Sequence, residues 1–208
     1  MLGKMYNKGD LLKKLLLLLM TGFLINTGID AEAAELNIKN YAISGINGIK
    51  DINTFQSCMS ALPDYYLNTY LNNDGIIRFV NGRVGTTADA PETLGVYWVN
   101  NHHIDIRTDI SIQEEYGEQR EPIIARTFKH ELGHYYYHMY KDKLSSKAKE
   151  QIKKNYDYYK NYNRECYDEN ETFATLFSDY YSENNILFDD ETLPYRELEQ
   201  LIGECNNV

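Results

Sequence analysis

The stretch EPIIARTFKHELGHYYYHMY, residues 121–140, spaces its apolar residues as a helix does. Pro122 stands where the first turn of a helix tolerates a missing N–H, so the spacing predicts a helix from Glu121 to about Tyr140. Inside it lies His130-Glu131-Leu132-Gly133-His134. A spacing of four puts both imidazoles on one face, one turn apart, where they can share a tetrahedral ion. Glu131 is turned ~100° from His130 and does not compete as a ligand. Its carboxylate reaches instead for a water in the open position of the ion, as a general base must. Imidazole and carboxylate ligands without thiolate, with one position left for water, point to zinc. The plainer alternative is a pair of histidines on a polar helix face.

Two histidines need a third ligand. A third histidine six residues on is excluded, because that position is Tyr140 and the glycine the pattern requires is Tyr137. His138 lies two turns from His130, about 12 Å along the axis, too far for one ion. A later helix is the remaining source. In DENETFATLF, residues 168–177, the apolar residues Phe173, Leu176 and Phe177, with Tyr180 beyond, form a stripe that would dock against the first helix. Glu171 stands on the shoulder of that stripe and Glu169 competes with it. Both also fit a solvated acidic helix start.

Upstream, Asp51 to Asn72 has helical spacing interrupted by Pro63, and IIRFV after Asn73-Asp74-Gly75 is strand-like. Residues 84–93 are loop. GVYWVNNHHIDIRT, residues 95–108, alternates and has a tight-turn candidate at Asn100-Asn101. Downstream, helices are expected over Ser145–Tyr158, Asp168–Tyr181 and Asp190 to about Ile202. The layout is α+β: a single, mainly helical domain with a small sheet, the HExxH helix, and a later helix bearing the third ligand.

The first residues are expected to be an address. Lys4, Lys8, Lys13 and Lys14 flank the apolar run Leu15–Ile25, and small residues follow at Ala31 and Ala33. These are the parts of a secretory signal peptide, residues 1–33, ahead of a domain at residues 34–208. The apolar run is shorter than the ~20 residues a bilayer span needs, so no stable membrane anchor is expected and the protein is read as secreted and extracellular. A net charge of −10 leaves no basic footprint for nucleic acid. Three cysteines, Cys58, Cys166 and Cys205, leave at least one unpaired, with Cys166–Cys205 as the candidate bridge. Nineteen tyrosines suit half-exposed grooves or a plain polar surface.

HELGH followed by Glu171, Phe173, Ala174 and Phe177 resembles the zinc protease domain of anthrax lethal factor and the clostridial Pro-Pro endopeptidases. LPDYYLNTYLNNDGIIRFVNGRV, residues 62–84, is similar to the helix-then-strand entry of that fold. The resemblance spans most of residues 50–182, and its specific part is the two short motifs. It implies that His130, His134 and Glu171 bind Zn2+, that Glu131 is the base, and that a protein or peptide substrate lies extended along the strand near Gly95 to Asn100. Two positions depart. Where the family has a glutamate four residues after the ligand glutamate, to orient a zinc histidine, this chain has Thr175, with Asp179 as substitute. Where the family has an oxyanion-steadying tyrosine, seven residues before the ligand glutamate, this chain has Arg164, between Tyr162 and Tyr167. A loop two residues longer brings Tyr162 into register for that role. The expectation is a secreted zinc metalloendopeptidase; the alternatives are a non-catalytic binding module of the same fold and a zinc-stabilised adhesin.

Overall fold

The computed structural model describes residues 36–38, 41–85, 93–163, 165–182, 187–189 and 191–205. All of them belong to one compact unit, Glu35–Val208. The expected signal peptide, residues 1–33, lies outside the described residues. Among those that are described, no helix is long and apolar enough to cross a membrane.

Two short strands, β1 (Leu36–Ile38) and β2 (Tyr41–Ser44), open the unit. The helical stretch after Asp51 divides at the proline, as its sequence implies. The Asp51 carboxylate accepts the amides of Asn53 and Thr54 at 3.1 Å and caps α1 (Ile52–Met59). Pro63 then opens α2 (Asp64–Asn72). Asp74, at φ 60°, makes the turn into β3 (Ile76–Val80). The alternating segment folds as a hairpin of β4 (Gly95–Trp98) and β5 (His103–Arg107). A short helix, α3 (Ile110–Tyr116), leads to the long α4 (Arg120–Tyr140). Helices α5 (Ser146–Tyr159), α6 (Glu169–Tyr180) and α7 (Leu193–Cys205) complete the chain. The fold is mixed α+β, mainly helical with a small sheet.

The five strands run in the order β1-β2-β3-β5-β4. β3 is parallel to both β2 and β5, and β4 returns antiparallel to β5 as an edge strand. The sheet buries Ile77, Phe79, Tyr97, Ile104 and Ile106 in the same core as Phe128 and Leu132 of α4. Trp98 Nε1 donates to Asp105 Oδ2 at 2.9 Å, and Arg78 makes a two-pronged bond to the same carboxylate, at 2.6 and 2.7 Å, tying β4, β5 and β3 together.

The start of α4 is fixed by polar contacts. Glu121 Oε1 accepts the amides of Lys50 and Asp51 at 3.1 Å, and Arg120 Nη2 donates to the carbonyl of Thr108 at 2.7 Å. Many tyrosines are core, not surface. Tyr66, Tyr70, Tyr135, Tyr136 and Tyr195 are fully buried. They are tolerated there because their hydroxyls find partners: Tyr136 donates to the Tyr66 carbonyl at 2.5 Å, and Tyr181 donates to the Tyr66 hydroxyl at 2.6 Å. Cys166 is buried and is a free thiol, and the side chain of Cys205, its expected partner, lies outside the described residues. The Cys166 thiol packs under the start of α6, where burial pushes its pKa up.

Candidate metal centre

α4 and α6 cross closely because neither has bulk at the crossing. A Cβ added at Gly133 would lie 2.9 Å from the Ala174 Cα and 3.1 Å from the Phe177 Cβ. The glycine inside HELGH therefore brings the first turn of α6 against the two histidines. Asp168 caps α6, its side chain accepting the Glu171 amide at 2.8 Å. The Glu171 carboxylate does not fold back onto the cap. Its Oε2 lies 3.2 Å from His130 Nε2 and 3.4 Å from His134 Nε2. The two Nε2 atoms are 3.0 Å apart.

These three atoms form a group that could hold a metal ion. Ligands ~2.0–2.1 Å from a tetrahedral ion are separated by about 3.3–3.4 Å, close to the triangle found here. The neighbours of the rings explain their orientation. Asn170 Oδ1 lies 3.1 Å from His134 Nδ1. An amide oxygen can only accept, so this contact puts the proton of a neutral His134 on Nδ1 and turns the Nε2 lone pair inward. The Thr175 hydroxyl lies 3.4 Å from His130 Nδ1. With both rings neutral and protonated on Nδ1, two inward lone pairs and a carboxylate oxygen at such distances would repel unless a positive charge sat among them. The protonation equilibria carry the same mark. Burial opposes charge on His134, but the bond to Glu171 and the field of Glu131 outweigh it and lift the imidazole to about 9. Burial would raise Glu171, yet its contacts with His130 and His134 hold it well below the usual carboxylate range.

Of the two candidate glutamates, Glu171 joins the histidines. Glu169 is not in the group and acts on Tyr137 instead. Asp179 lies 3.5 Å from Arg126, and the side chain on His130 Nδ1 is Thr175.

Glu131 is buried one position along α4, against β4. Burial raises its pKa, while the two histidines and the Tyr97 amide favour the carboxylate. An open cleft of about 500 Å³ runs between β4 and the His130–His134–Glu171 group, with Gly95, Val96 and Val99 on one side and Tyr137, His138 and Tyr167 among its other walls. The far edge of β4 pairs with no strand among the described residues.

Of the tyrosines in the chain before Glu171, Tyr167 lines this cleft and the expected Tyr162 does not. The Tyr167 hydroxyl donates to Glu171 Oε1 at 2.8 Å. Partial burial first, then the Glu171 charge, pushes its pKa up to about 12, so it stays a donor at neutral pH. Tyr162 is 79% exposed, rests on Tyr158 with ring centroids 5.4 Å apart, and is absent from the cleft walls. Arg164 lies outside the described residues. Asn170 is the residue that motif reading missed. Its one signal was its place beside Glu171.

No family model, curated protein or solved structure matches the chain, so the functional reading rests on its own residues and geometry.

Proposed function

We propose that the protein is a zinc-dependent metalloendopeptidase of the kind its two motifs resemble. The observation that carries the reading is the convergence of His130 Nε2, His134 Nε2 and Glu171 Oε2 beside a buried Glu131 and an open edge strand. Two imidazoles and one carboxylate, without thiolate, are a donor set zinc takes in hydrolytic sites. Bound zinc would supply Lewis acidity, polarising a peptide carbonyl and making water a nucleophile near neutral pH.

The protein's own residues do the rest. The edge of β4, which pairs with no strand among the described residues, offers backbone donors and acceptors along which a substrate can lie extended. The Glu131 carboxylate accepts the proton of the attacking water and passes it to the leaving amine nitrogen. The Tyr167 hydroxyl, released from Glu171, donates to the carbonyl oxygen as negative charge builds there. Asn170 and Thr175 hold the two imidazoles in orientation. Export is part of the proposal and rests on the leader-like residues 1–33; sequencing the N-terminus of secreted protein should find Ala34 first.

A peptide-library digest by the zinc-loaded protein, with and without chelator, tests the reading. Cleavage abolished by chelator and restored by zinc is expected. A stoichiometric zinc protein that cleaves nothing would instead indicate a binding module or adhesin.

A further inference from the structure

The edge strand and the general base are packed into one another at a single position, Gly95. A Cβ built there would lie 2.8 Å from both Cγ and Oε1 of Glu131 and 2.6 Å from Cγ2 of Thr127. Thr127 and Glu131 are four apart on α4, so they flank one groove of the helix surface, and the Gly95 Cα sits in it. Its φ lies outside the left-handed region, so what this glycine supplies is space, not a special backbone conformation.

We infer that Gly95 is a positioning residue for Glu131: its missing side chain lets the carboxylate stand between the edge strand and the metal ligands. The inference rests on the protease reading for its catalytic meaning but not for its geometry. Four things can move when a methyl group is added, α4, β4 and the side chains of Thr127 and Glu131, and the structure ranks them. α4 cannot recede, because Phe128 and Leu132 on it are buried in the core beneath the sheet. β4 is held along its whole length. It is in register with β5 from Gly95–Ile106 to Trp98–His103, the Leu94 carbonyl accepts the Arg107 amide at 2.8 Å, and Trp98 is tied to Asp105. The β-branched Thr127 side chain is stiff about its one rotatable bond, and the Glu131 side chain is held least, by one bond from the Tyr97 amide, since it can rotate about its own bonds into the cleft. A residue larger than glycine at position 95 therefore displaces the base, while the substrate-binding strand and the three metal ligands stay in place.

The test is Gly95→Ala in the zinc-loaded protein, read three ways. Zinc stoichiometry should remain that of the parent. The turnover number should fall at least tenfold with the Michaelis constant within about twofold, since a misplaced base is lost to the transition state and not to binding. A crystal structure of the variant should show the Glu131 carboxylate rotated away from the histidines with β4 unmoved. This last arm needs no activity, so it separates failure here from failure of the protease reading. A displaced β4 with Glu131 in its parental position would overturn the inference, as would a raised Michaelis constant at unchanged turnover. Gly95→Ala/Thr127→Ser guards against a packing explanation. Removing the Thr127 methyl should leave the defect in place; full recovery would mean that Gly95 serves helix–strand packing alone. If Gly95→Ala does not fold, the same double variant carries the three measurements.

Discussion

Gly133→Ala sets helix propensity against close packing at the metal centre. In an open helix the change from glycine to alanine stabilises by about 1 kcal/mol. Gly203 in α7, where an added Cβ would meet nothing within 4 Å among the described residues, should follow that rule, and Gly203→Ala should gain roughly 0.5–1 kcal/mol. At Gly133 the new methyl meets the Ala174 Cα at 2.9 Å and the Ala174 carbonyl oxygen at 3.3 Å, and backbone does not rotate aside. The helices must part by several tenths of an ångström. Overpacking of this kind costs about 1–3 kcal/mol, so the net effect should run from near neutral to a loss of ~2 kcal/mol. The separation also draws Glu171 away from the histidines, so zinc affinity should fall by about tenfold or more, as for other losses of ligand support. Urea denaturation of the metal-free variants and competition with a chromophoric chelator measure the two effects. A Gly133→Ala protein stabilised as much as Gly203→Ala, with unchanged zinc affinity, would refute the argument that this glycine sets the helix crossing.

Further outcomes follow from the same geometry. Glu171→Ala should lower zinc content while Glu169→Ala leaves it nearly unchanged; metal analysis of both reads this directly, and the reverse result would move the third ligand. Tyr167→Phe should reduce the turnover number by ~10²–10³ with little change in the Michaelis constant, and Tyr162→Phe should be close to neutral. Steady-state kinetics of the pair would return the role to Tyr162 if the effects were exchanged. The metal-free protein should lose stability as pH rises. His134 is lifted from 6.5 to about 9, so its contribution is full below pH 6.5 and lost as pH passes about 9. Glu171 is depressed, so its share of the same ion pair is present above about pH 4.5 and lost only in strong acid. Thermal melts between pH 6.5 and 9 should show a decline in metal-free parent that Glu171→Gln lacks, and a flat parental profile would count against the ion pair.

The elements around the site are those with the clearest local signals. The HELGH helix, the division at Pro63, the strand after Asn73-Asp74-Gly75 and the hairpin through Asn100-Asn101 all follow from periodicity or turn chemistry and appear in the fold. β1, β2 and α3 carry three, four and seven residues, too few for a period to stand out from composition. The tyrosines misled because burial depends on a partner for each hydroxyl, and Tyr181 is 115 positions from the Tyr66 that receives its bond. Glu171 was legible only as one of two candidates, since spacing gives a face of α6 but not the rotation that its cap and the Gly133 crossing impose. Tyr162 rests on register alone, and register across a loop does not say which side chain reaches the cleft. The chain between α5 and α6 brings Tyr167 to the cleft and leaves Tyr162 on Tyr158. Asn170 had no motif to mark it, because an amide that orients a histidine is recognised only once the two are 3.1 Å apart.

The most direct measurement is the activity of zinc-loaded Glu131→Gln beside the parent, with zinc content determined on the same samples. The amide matches the carboxylate in shape but cannot accept a proton from water. Glu131→Gln should keep its equivalent of zinc and its fold while peptide cleavage falls by ~10²–10⁴. Cleavage at parental rates with zinc bound would show that Glu131 is not the base and would contradict the mechanism built on this site.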